Sequence, residues 1–397
     1  MVLRFLPILA ALILCGACST IYREPVFDAS PGDDTSFMGL IDNLRDDRPL
    51  DVLIVHGMCT HDAQWASDAV EDLYSWLHGD VNVVRLVPVE VPGTNVVLYQ
   101  QSLPTEFGLL RVNALLWSPL TTPLKKQLCY DQSRKSAYCT SNDETAPYPY
   151  KRAQLNRLLK DSILDDCLSD AMTYQGRARD EISTQIQAAV LQAIATSGRG
   201  KPPSIYAAAA ANAPLTVPLV VVTDSLGSKI AFDAIFKLSQ GDGEIANAGT
   251  RTFDRISQIF MSANQLPILA LADQHLDGKS GRTRDATAYP DDPIGELMRA
   301  RAARASHGQS PTAPAVVAFT DPNDLLSYIL APSPHRAKQA YAVVDAVSSN
   351  DVTYAGVVEL PNTAHLGYGE NIEIQRLIAC GNPTSRRCTK AAALSDR

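Results

Sequence analysis

No block of lysine or arginine occurs anywhere in the 397 residues. Nucleic-acid binding rests on neutralising runs of phosphates, and 35 basic against 43 acidic side chains, a net charge of -8, provide no such footprint. Nucleic acid is therefore set aside as a partner. Among the six cysteines Cys59, Cys129, Cys139, Cys167, Cys380 and Cys388 no pair has CxxC spacing or the flanking histidine of a zinc site, so no metal is expected. Internal repeats and domain-scale linkers are also missing. The N-terminal apolar stretch, Phe5 to Leu14, is ten residues, and a spanning helix needs about 20. What remains is an ordinary globular composition, 46% hydrophobic and 20% charged, enough to bury a sizeable core and unlike a disordered chain.

The first residues, MVLRFLPILAALILCGACST, place one Arg before the apolar stretch and small residues after it, the order of a signal peptide. Cys18, directly after Gly16-Ala17, resembles the lipobox of bacterial lipoproteins, with Cys15 standing where an aliphatic residue is usual. The resemblance implies a signal peptide over residues 1–18, an acylated Cys18, and attachment to a membrane through that lipid. Ser19 in place of Asp implies the outer membrane, on its periplasmic side; export without lipidation, to a soluble periplasmic or secreted form, is the alternative. With Cys15 removed and Cys18 acylated, six cysteines remain, an even set in an exported chain, which implies disulfides with fifteen possible connectivities. Sequence proximity favours Cys129–Cys139 and Cys380–Cys388, leaving Cys59 with Cys167.

Residues 19–49 are polar and rich in turn formers and read as a tether; the folded domain is expected over 50–397. Asp51-Val-Leu-Ile-Val55 is a buried strand ending at His56-Gly57, and Ala66, Ala69, Val70, Leu73, Trp76 and Leu77 then recur at helical spacing. Strands are expected near Val81–Val91, Gly108–Trp117, Val217–Val222, Ile256–Met261 and Ala315–Phe319, with a last one near Val352–Leu360. Residues 118–197 break this rhythm and read as a helical insertion, with Ile182, Ile186, Val190 and Ile194 on one stripe. Alternating strands and helices predict an α/β fold with a doubly wound, mostly parallel sheet.

The segment Val220-Val-Val-Thr-Asp-Ser225-Leu-Gly227-Ser passes from strand to helix through a serine without spacer residues. Such a corner exposes a hydroxyl on a strained turn; a serine that merely caps the helix is the plainer reading. The segment resembles the GxSxG nucleophile elbow of α/β hydrolases, with Thr223 at the first glycine. That resemblance implies a catalytic Ser225 followed in chain order by an acid and a histidine. Of the downstream histidines His275, His307, His335 and His365, the last lies in LPNTAHLGYG, before an expected final helix over Asn371–Cys380. The acid is expected just after Ala315–Phe319, where Asp324 is preferred and Asp321 is the alternative. Family geometry implies oxyanion donors at the Leu226 and Met58 backbone N–H groups, with His56-Gly57-Met58 resembling the HG loop of lipases and esterases. Trp117 or Ser118 is expected to line the substrate pocket, and the loop TSNDETAPYPY either shapes access to it or is a plain surface excursion.

The implied activity is hydrolysis of a carboxylic ester, in a small molecule or a lipid, with Ser225 as nucleophile, His365 as base and no cofactor, since such a triad supplies nucleophile and base itself. A catalytically silent hydrolase fold, acting as a scaffold or binding lipoprotein of the envelope, is the rival reading.

Overall fold

The computed structural model describes residues 18–30, 32–78, 86–141, 145–195, 207, 209–273, 293–306, 313–330 and 341–388. Nine strands form one sheet: β1 Val26–Phe27, β2 Leu50–Val55, β3 Val87–Glu90, β4 Val97–Thr105, β5 Gly108–Leu116, β6 Leu219–Asp224, β7 Ile256–Ser262, β8 Ala315–Thr320 and β9 Val343–Val347. Their order is β1-β9-β8-β7-β6-β2-β5-β4-β3. From β9 to β5 every neighbouring pair is parallel, while β1 and the β3–β4–β5 wing pair antiparallel.

The parallel strands are apolar almost without interruption because both of their faces are covered. Leu53, Val55, Val221, Ile259, Met261 and Val316 enter one buried cluster, and Val52, Ile54, Val220, Val222, Phe260 and Val317 enter the other. Alternation along each strand sends successive side chains to opposite faces. One face is covered by α3 Arg179–Ala195, α4 Leu226–Ser239, α5 Gly243–Arg255 and α6 Pro293–Ser306, the other by α1 Ala63–His78 and α8 Ile372–Cys380. Between β5 and β6 run α2 Ser118–Lys125, helical turns from Gln154 to Gln175, and α3, whose Ile182, Ile186, Val190 and Ile194 are all buried as their spacing predicts. Asp51, the one acid in the first parallel strand, is buried where the strand begins and is held by Arg111, at 2.6 Å, and Arg255.

Three expectations change. The segment over 19–49 is folded in and is no tether: β1 pairs with β9, Phe37, Leu40, Ile41 and Leu44 are buried, and the Phe37 N–H bonds the Asn382 carbonyl at 2.8 Å. Those four apolar residues, scattered among polar ones, pack, while Ile21, Val26 and Met38 stay exposed. Strand β4, unforeseen, forms a hairpin with β5; its sequence VLYQQSLPT has Pro104 near the end, and Thr105 faces Gly108 across a two-residue turn. The last strand of the nine-stranded sheet is β9; within Val352–Leu360 only Thr353-Tyr354 is a strand, and it belongs to a separate two-stranded ladder. Buried Asp345 interrupts the apolar run of β9 and takes the Leu330 N–H at 2.8 Å, whereas Ala355 and Gly356, with φ of 53° and 64°, turn the expected strand back on itself.

Candidate active site

The carboxyl ends of β6, β8 and β9 lie on one edge of the parallel sheet, the edge where α/β folds assemble their sites. Ser225 stands between β6 and α4 with φ 51° and ψ -125°, a conformation costly for a residue with a Cβ. Its N–H bonds the Ser262 carbonyl at 2.7 Å, which ties the turn to β7. The bend needs small neighbours. A Cβ on Gly227 would lie 2.4 Å from the His56 carbonyl oxygen, and one on Gly57 would lie 2.8 Å from the Ser225 Cβ. Thr223 fits where a glycine is usual because its hydroxyl is buried and satisfied, 2.8 Å from the Ser228 hydroxyl and 3.3 Å from the Phe260 carbonyl.

His365 lies on α7, Pro361–Leu366, with Nε2 3.3 Å from the Ser225 hydroxyl. Its Nδ1 is 2.9 Å from both carboxylate oxygens of Asp324. A carboxylate accepts, so Nδ1 carries the proton and Nε2 is left as an acceptor facing the serine. Asp324 is fixed by the Leu326 N–H at 2.9 Å and by the Tyr368 hydroxyl at 3.0 Å. Tyr368 in turn accepts the Asp321 N–H at 2.7 Å, and its buried hydroxyl is held well above its ordinary pKa by burial and by the Asp324 charge. Ser225, His365 and Asp324 are 3%, 7% and 4% exposed, so the chain of hydrogen bonds is largely shielded from water.

The Asp321 carboxylate turns to the loop backbone and not to His365. Its carboxylate receives the Asn323 N–H at 2.8 Å and the Asn350 N–H at 2.6 Å, the role of a loop-bracing residue. Burial raises the Asp321 carboxyl, and burial together with Asp321 raises Glu359 to about 7. Asn323 bridges these two, its side-chain amide donating to Glu359 at 2.7 Å. Beside the elbow, Asp224 is pushed up to about 6 by burial, against the opposing pull of Ser262 and His365.

The loop after β2 abuts the elbow through Gly57. Among the described residues the Met58 and Leu226 N–H groups have no hydrogen-bond partner, and Leu226 opens α4, where such donors are free. His56 is fully buried and held well below its ordinary pKa by burial and by His61, so it is neutral. It receives the Trp117 N–H at 3.0 Å on Nε2, which places its proton on Nδ1, 2.8 Å from the Gly57 carbonyl. The Trp117 ring stacks on it at 4.8 Å and returns its indole N–H to the His56 carbonyl at 2.9 Å. Trp117 and Ser118 are thus buried props of this loop, where a pocket lining was expected; Ser118 bonds the His61 N–H at 2.9 Å.

Sequence reading missed Tyr368, Asn323 and Glu359. The only signal was their nearness in the chain to Asp324 and His365. Cys59, adjoining Met58, is bonded to Cys167, and the other pairs are Cys129–Cys139 and Cys380–Cys388. His275, His307 and His335 lie outside the described residues, as does the side chain of Cys18. Two surface hollows, one lined by Phe37, Gln258 and Arg301 and the other by Val89, Asn95 and Pro119, lie away from Ser225. Among the described residues no cluster of three His, Cys, Asp or Glu side chains could hold a metal, and no helix is long and apolar enough to cross a membrane. Compared with known proteins, the chain matches no family model, no curated protein and no solved structure.

Proposed function

We propose that this chain is a serine hydrolase built on the α/β-hydrolase plan, with residues 118–197 as a helical insertion, and that its reaction is hydrolysis of a carboxylic ester. The observation that carries the reading is the buried relay from Ser225 through His365 to Asp324, with spacings of 3.3 and 2.9 Å, on a strained strand-to-helix turn. A serine cap would need neither the positive φ nor a histidine whose far nitrogen is oriented by an acid.

In this reading Ser225 Oγ adds to the acyl carbonyl while its proton passes to His365 Nε2. The Met58 and Leu226 N–H groups receive the developing oxyanion. His365 then gives the proton to the leaving alcohol oxygen as the C–O bond breaks, leaving an acyl-serine. Water, deprotonated by His365, adds to that ester, and as the acyl C–O bond to Ser225 breaks His365 returns the proton to Ser225 Oγ and the acid leaves. Asp324 holds the Nδ1 proton throughout and steadies the imidazolium; the Asp321 assignment is disfavoured by its loop contacts. The export signal and the lipid on Cys18, at the periplasmic side of the outer membrane, belong to the same proposal.

The test is labelling of the chain with a fluorescent fluorophosphonate beside Ser225→Ala and His365→Ala. Labelling abolished by both substitutions supports the hydrolase. A folded parent chain that stays unlabelled favours the silent scaffold, in which these groups serve packing alone.

A further inference from the structure

Cys18-Ser19 forms a short antiparallel ladder with Thr353-Tyr354, in the register Cys18 with Tyr354 and Ser19 with Thr353. Nearby, Tyr22 and Ser349 exchange bonds of 3.1 and 3.0 Å. The start of the described chain is therefore fastened to the segment that leads into His365. That segment turns tightly at Ala355-Gly356, where the Val357 N–H meets the Tyr354 carbonyl at 3.0 Å. It is fastened to the acid loop as well: Glu359 takes the Asn323 amide at 2.7 Å and the Thr353 hydroxyl at 3.2 Å.

The outer surface of these two segments is apolar. Val357 is 83% exposed, Leu325 68%, and Val358 and Leu366 50% each, with Leu325 next to Asp324 and Leu366 next to His365. In the anchored segment Ile21 is also exposed, at 67%, ahead of the exposed Arg23 and Glu24. From Val352 to Gly369 the only ionisable side chains besides Tyr354 and Tyr368 are Glu359 and His365, both buried. A soluble surface rarely gathers bare aliphatic side chains without charge between them, and doing so around a reacting group marks a binding face.

We infer that this rim docks on a phospholipid bilayer, so that the substrate is a lipid ester resident in the membrane, drawn to Ser225 from the bilayer plane. The occupant is identified by where the chain emerges. Residues 1–17 precede the ladder, and Cys18, the position a lipid would occupy, is held beside the rim and not at the opposite edge of the sheet. A lipid attached there has too short a leash to leave the rim facing water. The substrate class rests on the hydrolase reading, and the choice of a bilayer as occupant rests on the lipid proposed at Cys18.

The experiment uses the full chain in vesicles of phosphatidylethanolamine and phosphatidylglycerol, carrying a bimane label on Val357→Cys or, as control, Ile245→Cys. Ile245 lies against Gly241, beyond the far end of α4, and α4 places it roughly 20 Å from the elbow at about 1.5 Å per residue. Weaker quenching by iodide and a blue-shifted emission at position 357 relative to 245 are expected; equal quenching at both overturns the docking. Val357→Asp should then slow hydrolysis of a long-chain ester embedded in the vesicles by ~10-fold or more and leave a water-soluble short-chain ester unaffected, whereas Val357→Leu should keep the parent rate on both. Equal rates of the Asp variant and parent on the embedded ester overturn the substrate class. Loss of all esterase activity in the parent, with position 357 still shielded, counts against the hydrolase alone.

Discussion

Two aspartates three residues apart do different work because of what surrounds each. Asp324 meets His365 Nδ1 with both oxygens, while Asp321 spends its oxygens on the Asn323 and Asn350 N–H groups. Asp324→Asn should lower turnover by roughly 10³–10⁴-fold, because an amide can present its N–H to Nδ1 and leave the proton on Nε2, the wrong tautomer for a base. Asp321→Asn should instead lower the melting temperature and retain most turnover. Steady-state kinetics on both variants checks this, and the opposite outcome would move the acid to Asp321. Tyr368 is a positioning residue, donating to Asp324 and accepting from the Asp321 N–H. Tyr368→Phe removes a hydrogen bond to a charged group, worth about 1.5–3 kcal/mol. It is expected to reduce kcat by ~10-fold with KM unchanged, a split that general loosening of the fold would not give.

At the level of elements, the loop after β2 is gripped from both sides. His56 is clamped by Trp117 at the end of β5, and Cys59 is bonded to Cys167 in the helical run between β5 and β6. Next to that bond the Thr60 hydroxyl donates to Asp166 at 2.6 Å, and Asp166 is paired at 2.9 Å with the buried Lys125. The disulfide closes a loop of 108 residues, and bonds of this kind contribute about 2–4 kcal/mol. Replacing Cys59 and Cys167 together by serine should lower thermal stability and also slow fluorophosphonate labelling, since Met58 adjoins Cys59. Replacing Cys380 and Cys388 should cost stability with less effect on labelling. Comparable slowing in both pairs would mean that the grip on the loop does not matter to the site. Gly227→Ala is a sharper case: its Cβ would meet backbone on two sides, the His56 and Val55 carbonyl oxygens at 2.4 and 2.8 Å. Unfolding or loss of labelling is expected, and a folded, fully labelling variant would contradict this account of the elbow.

Across the whole molecule, stability should vary with pH through the carboxyls that the fold keeps protonated. Glu359 is raised from 4.5 to about 7 by burial and by Asp321. Between those values the native state binds more protons than the unfolded chain, so stability falls as pH rises through the window and levels off above it. Asp170, raised to about 6 by burial against the pull of Lys125, adds in the same direction from its lower starting value of 3.8. Glu359→Gln should flatten the decline between pH 4.5 and 7 and raise the melting temperature at pH 8, because a neutral amide oxygen can still accept from Asn323 and Thr353. Thermal melts of parent and variant across pH 4–9 test this, and identical slopes would rule the group out.

The amino-acid sequence alone determined the elements that depend on neighbours in the chain. The apolar β-branched runs of β2, β6, β7 and β8 are strands because both faces are buried, the stripe on α3 is a helix by its period, and the strand–Ser225–helix corner is legible in nine residues. Asp324 and His365 could be nominated by order and position. Tertiary structure alone decided which carboxylate faces the histidine, since the contacts that set Asp321 and Asp324 apart include Asn350, Tyr368 and His365, each distant in the chain. It also decided that Trp117 braces a loop, that β9 rather than Val352–Leu360 completes the parallel sheet, and that Phe27, Phe37, Leu40, Ile41 and Leu44 pack into the core on it. These depend on partners tens to hundreds of positions away, such as Phe37 with Asn382. Such pairings leave no periodicity in the local sequence, because the free energy that selects them arises only once the distant segments are in contact.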